Sequence, residues 1–198
     1  MAENLAEIAI RNRNRFIVGW SIGGDEYNFP PEAFEDVYKY VKEAGLHLTA
    51  HAGEAAGANS VRNAITLLNC ERIGHGIRSI EDSTLLPPIR EKQVTLDVAL
   101  TSNLRTGVIT DIRYHPVRKL FDSGVTITIN TDDSMFFNTD LTDEYMLLIT
   151  HFNFTFEEIA KLILNTVKAA FLPEENKDLL RKKLLKGTTR IKNAYGIS

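Results

Sequence analysis

At residues 46–54 the chain reads LHLTAHAGE, an apolar run that gives way to a histidine, a glycine and a glutamate. The run Leu46–Ala50 has the length and composition of a buried strand. Functional side chains of parallel α/β folds gather where the strands end. The position of His51 and Glu54 directly after this run therefore predicts a strand of a parallel sheet with site residues at its carboxyl end.

Further strand candidates alternate with helical patterns on both sides of this segment. They are Phe16–Ile22, Glu71–Gly74, Val94–Leu100 and Val125–Asn130. Strands that alternate with helices favour a parallel sheet with right-handed crossovers. Only helical patterns follow residue 130, so the strands are expected to precede a helical carboxyl-terminal region.

The predicted fold class is α/β, an incomplete TIM-type (β/α) barrel of about five parallel strands with flanking helices. A closed barrel has about eight strands and about 250 residues, whereas this chain has 198 residues. We therefore expect residues 1–198 to form a single hydrolase-like domain, about three strand–helix units short of closure. An open five-stranded sheet is the structural alternative.

The composition is that of an ordinary globular protein, with 43% apolar residues, 25% charged residues and a net charge of −3. This charge gives no reason to expect a nucleic acid or an anionic membrane as a partner. The single cysteine, Cys70, excludes an intrachain disulfide and a cysteine-based zinc cluster. No apolar run approaches the ~18 residues of a membrane span. We expect a soluble cytoplasmic protein.

A polar cluster follows each predicted strand. The clusters are Gly23–Glu26, His51–Glu54, His75-Gly76, Thr101–Asn103 and Thr131–Asp133. The carboxyl ends of parallel strands lie at one rim of the sheet. The clusters are therefore expected to form one site.

Several of these polar residues supply complementary chemistry. His51 is a borderline metal ligand and Asp132 is a hard one. Glu54 is a spare acid, and His75 can handle a proton near neutral pH. Each has an ordinary structural explanation when taken alone, such as a hydrogen-bonded histidine or a loop carboxylate. Together they match metal-assisted hydrolysis, and the alternation of strand side chains assigns Asp132 to the metal and Asp133 to the substrate.

The motifs HAGE, RIGHG, TSN and NTDD, in this order and spacing, resemble the adenosine deaminase family. The resemblance covers about residues 16–198 and extends to GDE at Gly24–Glu26. It implies a zinc-dependent (β/α) barrel that hydrolyses the 6-amino group of adenosine, a purine nucleoside, to give inosine and ammonia. His51 and Asp132 would then be ligands of one Zn²⁺ ion.

The resemblance also implies a role for the other site residues. Glu54 would protonate N1 of the purine as water attacks C6, and His75 would orient or deprotonate that water. Asp133 would hydrogen-bond to N7 or to the attacking hydroxyl, and the backbone of Gly24 would meet N3. A carboxyl group can act as the acid only if its site raises its pKa.

The sequence departs from the family pattern in its metal ligands. The family's other two zinc ligands are a His-x-His pair on the first strand, and this sequence contains no such pair. His47 cannot substitute, because it lies ~13 Å from His51 along the same strand. We therefore expect the sequence to be a carboxyl-terminal portion whose zinc site a complementing amino-terminal fragment completes.

Three hypotheses about function remain open at this point. The first is an adenosine deaminase whose missing strands come from elsewhere. The second is a deaminase of adenine or a modified purine, since the chemistry at C6 is the same. The third is a non-catalytic remnant or interaction module. Exposed sheet edges invite pairing with another chain, so we also expect self-association when the chain is alone.

Residues outside the site are expected to have structural roles. The first residues, MAENLAEIAIRNRNRF, are predicted to form an amphipathic helix with Leu5, Ile8 and Ala9 on one face. His115 is predicted to cap the helix that starts at Pro116. Three aromatic residues are expected to pack in the core rather than line a purine pocket; they are Trp20, Phe136 and Phe137.

Overall fold

A parallel sheet of five strands forms the centre of the chain in a computed structural model that describes residues 2–13 and 15–197. Each strand pairs with the next one along the chain, in the order β1-β2-β3-β4-β5. The strands are β1 (Gly19–Trp20), β2 (His47–Ala52), β3 (Arg72–His75), β4 (Thr95–Val98) and β5 (Thr126–Ile129). This sheet confirms the predicted fold class, an incomplete (β/α) barrel.

Helices connect the strands and continue after them. The α-helices of the described residues are α1 (Ala2–Arg11), α2 (Glu35–Glu43), α3 (Ala58–Thr66), α4 (Leu86–Glu91), α5 (Leu100–Arg105), α6 (Val117–Asp122), α7 (Ser134–Phe137), α8 (Leu141–Phe152), α9 (Phe156–Ala169) and α10 (Glu174–Tyr195). Short 3-10 segments lie at Pro31–Phe34, Ile77–Glu81 and Ile112–Tyr114. The four helices after β5 confirm the expected helical carboxyl-terminal region.

The two faces of the sheet differ in polarity, because successive side chains of a strand point to opposite sides. In β2, Leu48 and Ala50 are buried, whereas Thr49 and His51 are partly exposed. The buried face belongs to the hydrophobic core, to which the neighbouring strands contribute Ile73, Leu96 and Ile127. The other face is polar and forms the inner wall of the incomplete barrel.

An ion pair lies on this inner wall and connects β3, β4 and β5. Arg72 Nη2 lies 2.7 Å from Asp97 Oδ2, and the two side chains are 27% and 17% exposed. Thr128 Oγ1 donates a hydrogen bond of 2.6 Å to Asp97 Oδ1. The strand register places Asp97 directly beside Thr128. The inner wall is therefore lined by polar side chains that are still partly exposed to solvent.

Three strands are shorter than the sequence pattern predicts, and the predicted strand Val125–Asn130 loses one residue at each end in β5. In the predicted strand Phe16–Ile22 only Gly19 and Trp20 form a regular strand, β1. The carbonyl oxygens of Val18 and Ile22 also accept hydrogen bonds from the N–H groups of His47 and His51 in β2. The predicted strand Val94–Leu100 ends at Val98, because the buried Glu144 carboxylate accepts hydrogen bonds from the backbone N–H groups of Leu100 (2.9 Å) and Thr101 (3.2 Å). Backbone N–H groups in the first turn of a helix have no partner within the helix. Glu144 supplies this partner and so stabilises the start of α5.

The predicted amphipathic helix is present as α1, but its apolar face is buried only in part. Ala9 is buried, but Leu5 and Ile8 are about half exposed. The second buried residue of this helix is Ala6. The helix α1 contacts α2. Ala6, Ala9 and Ile10 pack in or against the core, and Leu5 and Ile8 remain outward.

The sheet ends at β1 on one side and at β5 on the other within the described residues. Beside β1, Phe16 is fully exposed and Val18 is exposed. An edge strand presents unpaired N–H and C=O groups to its surroundings. In residues 2–13 and 15–197, no helix has both the length and the apolar character that a membrane crossing requires.

Candidate active site

Most of the predicted site residues lie together at the carboxyl ends of β2, β3 and β5. His75 Nε2 lies 3.3 Å from Glu54 Oε2 and 4.0 Å from Asp132 Oδ2. The ring centroids of His51 and His75 are 5.2 Å apart. His51, His75 and Asp132 also line one cavity of about 150 Å³. The structure thus brings together four side chains that follow three different strands.

The imidazole of His51 is held in one orientation. Its Nδ1 atom lies 3.2 Å from the backbone carbonyl oxygen of Ile22. Since a carbonyl only accepts hydrogen bonds, Nδ1 carries the proton and Nε2 is left with a free lone pair. Gly23 and Gly74 flank the ring so closely that a Cβ atom at either position would lie 3.0 or 3.2 Å from Nδ1. Metal-binding histidines are commonly fixed in this way by a backbone carbonyl.

His75 reaches the site through an unusual backbone conformation. Strict alternation after Gly74 would place its side chain on the buried face of the sheet, beside Ile73. Its φ angle of 62° is left-handed, and Gly76 follows with a φ angle of 65°. Strained backbone of this kind clusters at functional sites. Burial, assisted by the nearby His51, lowers the pKa of His75 to about 4, so the ring is neutral near pH 7.

Asp132 also has a left-handed backbone, with a φ angle of 55°. Ser102 Oγ donates a hydrogen bond of 2.7 Å to its Oδ2 atom. Ser102 lies in α5, where the TSN motif begins the first turn rather than extending the strand. The sequence pattern contained Ser102 but assigned it no role. Its hydroxyl fixes one oxygen of Asp132 and leaves the other for a further contact.

The Glu54 carboxyl group lies in a partly dry environment. Burial raises its pKa, the neighbouring His51 opposes the rise, and the Asp132 carboxylate adds to it. Thr106 Oγ1 lies 3.4 Å from its Oε1 atom. A raised pKa keeps a larger fraction of this group protonated, which is the state that an acid catalyst needs.

The loop that carries Glu54 is fixed by Glu26, which the sequence reasoning did not identify as a site residue. The buried Glu26 carboxylate accepts hydrogen bonds from the backbone N–H groups of Glu54 (3.2 Å), Ala55 (2.8 Å) and Ala56 (2.9 Å). It also accepts one from Gly53 N–H and one of 2.5 Å from the Ser60 hydroxyl. The signal was present in the GDE motif, whose glutamate follows the first strand.

Gly24 and Asp133 are less closely associated with the cluster. Gly24 has a φ angle of 116° and lines a neighbouring cavity of about 100 Å³, which His51 also lines. A Cβ atom at Gly24 would have no neighbour within 4 Å, so its backbone is open on one side. The Asp133 side chain is exposed, and the hydrogen bonds and ion pairs of the described residues do not include it.

Some predictions for residues outside the cluster are confirmed and one is wrong. Val117 N–H donates a hydrogen bond of 3.1 Å to His115 Nδ1, which confirms that His115 caps α6. Cys70 is buried and Trp20 packs against the core. Phe136 is 86% exposed, so its predicted core packing is wrong. Its helix α7 spans only Ser134–Phe137 and is too short to bury this face.

The described residues fit part of a zinc site. His51 and Asp132 supply an imidazole nitrogen and a carboxylate oxygen, which zinc binds well. Protein zinc sites typically use about three or four protein ligands. Within residues 2–13 and 15–197, no group of three or more histidine, cysteine, aspartate or glutamate residues is arranged to hold a metal ion. These residues therefore do not complete a zinc site by themselves.

Comparison with known proteins gives a consistent result across the chain. A family profile described as adenosine deaminase matches residues 1–187. The adenosine deaminase of Clostridium kluyveri is 34% identical over 169 residues, which cover 85% of this chain and 49% of that protein. The adenine deaminase of Rhizobium rhizogenes is 39% identical over 179 residues, which cover 90% of this chain and 56% of that protein. The chain thus spans about half the length of these relatives.

Solved structures share the fold. The adenine deaminase from Arthrobacter aurescens superposes with a TM-score of 0.87 at 30% identity, covering 96% of this chain and 59% of that one. An amidohydrolase from Burkholderia ambifaria with bound zinc superposes with a TM-score of 0.92 at 26% identity, covering 100% of this chain and 55% of that one. The sheet and helices described here correspond to a little over half of each of these structures.

Proposed function

The chain belongs to the adenosine deaminase family, and on that premise we propose that its strand ends carry part of an active site that hydrolyses adenosine. In the proposed reaction water replaces the 6-amino group, and the products are inosine and ammonia. The observation that supports this most directly is the convergence of four side chains at one rim, namely His51, Glu54, His75 and Asp132. They combine metal ligation with proton transfer, which such a hydrolysis needs.

The proposed cofactor is one zinc ion, held in part by His51 and Asp132. The bare Nε2 atom of His51 and the oriented carboxylate of Asp132 suit this role, and the similar amidohydrolase from Burkholderia ambifaria has bound zinc. The remaining ligands would be the family's His-x-His pair, which residues 1–198 do not contain. When bound, zinc supplies Lewis-acid activation of the attacking water.

The other residues have proposed roles toward the purine. Glu54, whose pKa is raised, would hold a proton for N1, so that the ring accepts the developing charge. His75 would position the attacking water from its place 3.3 Å from Glu54. The backbone of Gly24, open on one side, has room to meet N3. Asp133 would hydrogen-bond to N7 or to the attacking hydroxyl once substrate is bound.

A second candidate substrate is adenine or a modified purine. It is favoured by relatives described as adenine deaminases, one of them 39% identical to this chain. The four converging side chains act on C6 and its neighbours, which adenosine and adenine share. The choice between the two would therefore depend on contacts to the ribose, which we expect from residues other than these four.

The experiment that tests the proposal joins the chain with a polypeptide that carries the family's first strands and His-x-His pair. We expect a complex that binds zinc and converts adenosine to inosine, followed by the change in purine absorbance. Glu54→Gln should keep the zinc and lower turnover by about 10²–10⁴-fold, because the acid is lost. Glu71→Gln is the matched control, since Glu71 contacts His47 at the opposite end of β2.

The possible outcomes separate the hypotheses. A clear preference for adenine or a modified purine would replace the proposed substrate but keep the chemistry. A folded, zinc-loaded complex that converts none of these purines would overturn the catalytic proposal and support a non-catalytic interaction module. Equal activity of Glu54→Gln and the unmodified chain would remove Glu54 from the mechanism.

A further inference from the structure

Three buried polar side chains form a continuous line behind the candidate site. His75, Asn103 and His115 are only 2%, 0% and 4% exposed. Asn103 Nδ2 lies 3.0 Å from His75 Nδ1, and Asn103 Oδ1 lies 3.1 Å from His115 Nε2. We call these three residues the buried relay. One of its ends faces the site, and the other ends on the backbone of α6.

At the end of the buried relay near α6, the direction of hydrogen-bond donation is fixed. Val117 N–H donates a hydrogen bond of 3.1 Å to His115 Nδ1. Val117 is the first residue of α6, where backbone N–H groups lack partners within the helix. A backbone N–H can only donate, so His115 Nδ1 must be an unprotonated acceptor. Burial lowers the pKa of His115 to about 3, and the single proton of the neutral ring is therefore on Nε2.

This polarity fixes the orientation of the Asn103 amide. The Nε2–H group of His115 needs an acceptor, and only the amide oxygen of Asn103 can serve. In the reversed orientation two donors would face each other at 3.1 Å. The NH₂ group of Asn103 must therefore point to His75 and donate to its Nδ1 atom.

The same reasoning then applies to His75. Its Nδ1 atom accepts a hydrogen bond and is unprotonated, so the proton of the neutral ring is on Nε2. That Nε2–H group faces the carboxylates of Glu54 at 3.3 Å and Asp132 at 4.0 Å, which are acceptors when ionised. When these carboxylates are ionised, both ends of the ring favour the same tautomer, and the contact at Nδ1 favours it in either case.

We propose that Asn103 and His115 are positioning residues that keep the proton of His75 on Nε2, so that His75 presents a hydrogen-bond donor to the site. The importance of this tautomer for hydrolysis rests on the proposed function. The assignment of the tautomer does not, because it follows from the hydrogen bonds alone. A ring with a proton on Nε2 and an occupied Nδ1 has no free lone pair toward the site. Of the two roles considered for His75, orienting water agrees with this arrangement and accepting a proton from water does not.

The tautomer can be measured on the chain of residues 1–198 without metal or substrate. The chain is labelled with ¹⁵N-histidine, and long-range ¹H–¹⁵N NMR spectra near pH 7 distinguish protonated from bare ring nitrogens. We expect His75 and His115 to be protonated on Nε2 and bare on Nδ1. A proton on Nδ1 of His75, or an equal mixture of tautomers, would overturn the proposal.

Asn103→Asp tests whether the relay controls the tautomer. An aspartate at this position accepts from both neighbours, so His75 should gain a proton on Nδ1 while His115 keeps its proton on Nε2. Asn59→Asp is the matched control, because Asn59 is exposed in the first turn of α3, away from the buried relay. If His75 Nδ1 stays bare in folded Asn103→Asp, the relay does not set the tautomer. Should this variant fail to fold, the spectrum of the unmodified chain still decides the proposal.

Activity provides a separate measurement in the zinc-loaded complex with the complementing polypeptide. Asn103→Asp should lower kcat by up to about 10⁴-fold, the effect that a wrong histidine tautomer has in another hydrolase. KM should change much less, because Asn103 is fully buried behind His75. An Nε2 tautomer in a complex without turnover would leave the relay intact and count against the proposed function alone. A full kcat in an Asn103→Asp complex with an altered tautomer would show that the tautomer has no catalytic importance.

Discussion

At the scale of single residues, glycines shape the candidate site as much as its polar groups do. Gly74 lies beside His51 in the register of β2 and β3. A Cβ atom there would lie 3.2 Å from Nδ1 and 3.3 Å from Cγ of the imidazole. The backbone of β3 and the hydrogen bond to the Ile22 carbonyl both limit how far the ring can shift. Gly74 therefore determines where His51 can lie.

We expect Gly74→Ala to destabilise the chain by about 1–3 kcal/mol, because the added methyl group overpacks against His51. The free energy of unfolding in denaturant measures this effect. Gly187→Ala is the control, since Gly187 lies in α10 with no atom near its Cβ position. It should stabilise the chain by about 0.5–1 kcal/mol through helix propensity. Equal stability of the two variants would show that His51 is free to move.

The sequence was sufficient to locate the residues that follow strands, but not their buried supports. His51, Glu54 and Asp132 could be predicted because strand ends and site residues coincide in parallel folds. The place of Glu26 after the first strand could be predicted too, but its role could not, since that role depends on backbone N–H groups 27 to 30 residues away. A buried polar group is recognised by its distant partners, and these become apparent only in the folded chain.

At the scale of elements, the loop between β2 and α3 depends on one carboxylate. Oε2 of Glu26 accepts from the N–H groups of Glu54, Ala55 and Ala56, and Oε1 accepts from the Ser60 hydroxyl. These contacts satisfy backbone donors that would otherwise be unpaired. The carboxylate therefore sets the shape of the loop and the direction of the Glu54 side chain.

Glu26→Gln should destabilise the chain by at least about 1–3 kcal/mol, because an amide NH₂ group would face a backbone donor in either orientation. Hydrogen exchange of the amides at residues 53–56 should become faster than in the unmodified chain. Glu43→Gln, at the exposed end of α2, makes the same chemical change without these contacts and should have little effect. Unchanged exchange at residues 53–56 would contradict the role given to Glu26.

The bounds of the elements could be predicted only where local sequence decides them. The β-branched residues of β5 favour a strand, and the predicted strand Val125–Asn130 extends only one residue beyond β5 at each end. Leu100, by contrast, continues an alternating pattern but begins a helix, since Glu144 binds its N–H group from 44 residues away. A contact of that range overrides the local preference of the chain.

At the scale of the whole molecule, β1 is one of the two edge strands of the sheet within the described residues. β1 pairs with β2 along one side only, and the exposed residues Phe16 and Val18 lie next to it. Edges of this kind pair readily with other chains. We therefore propose that the chain alone self-associates and that a complementing polypeptide competes for the same edge.

Sedimentation measures this self-association directly. We expect dimers or larger species for the chain alone, and a smaller fraction of them for Val18→Lys, because a charged edge residue opposes strand pairing. Leu179→Lys is the control, since Leu179 is exposed on α10, far along the chain from the edge. A chain that remains monomeric at every accessible concentration would contradict the proposal.

Closure of the barrel would change the solvent exposure of the ion pair on the inner wall. The side chains of Arg72 and Asp97 are 27% and 17% exposed, so solvent still screens part of their attraction. Additional strands across the wall would remove that water and leave each charge dependent on the other and on Thr128. Loss of either charge would then cost far more in the closed barrel than in the open one. The pair thus links assembly of the barrel to the integrity of its interior.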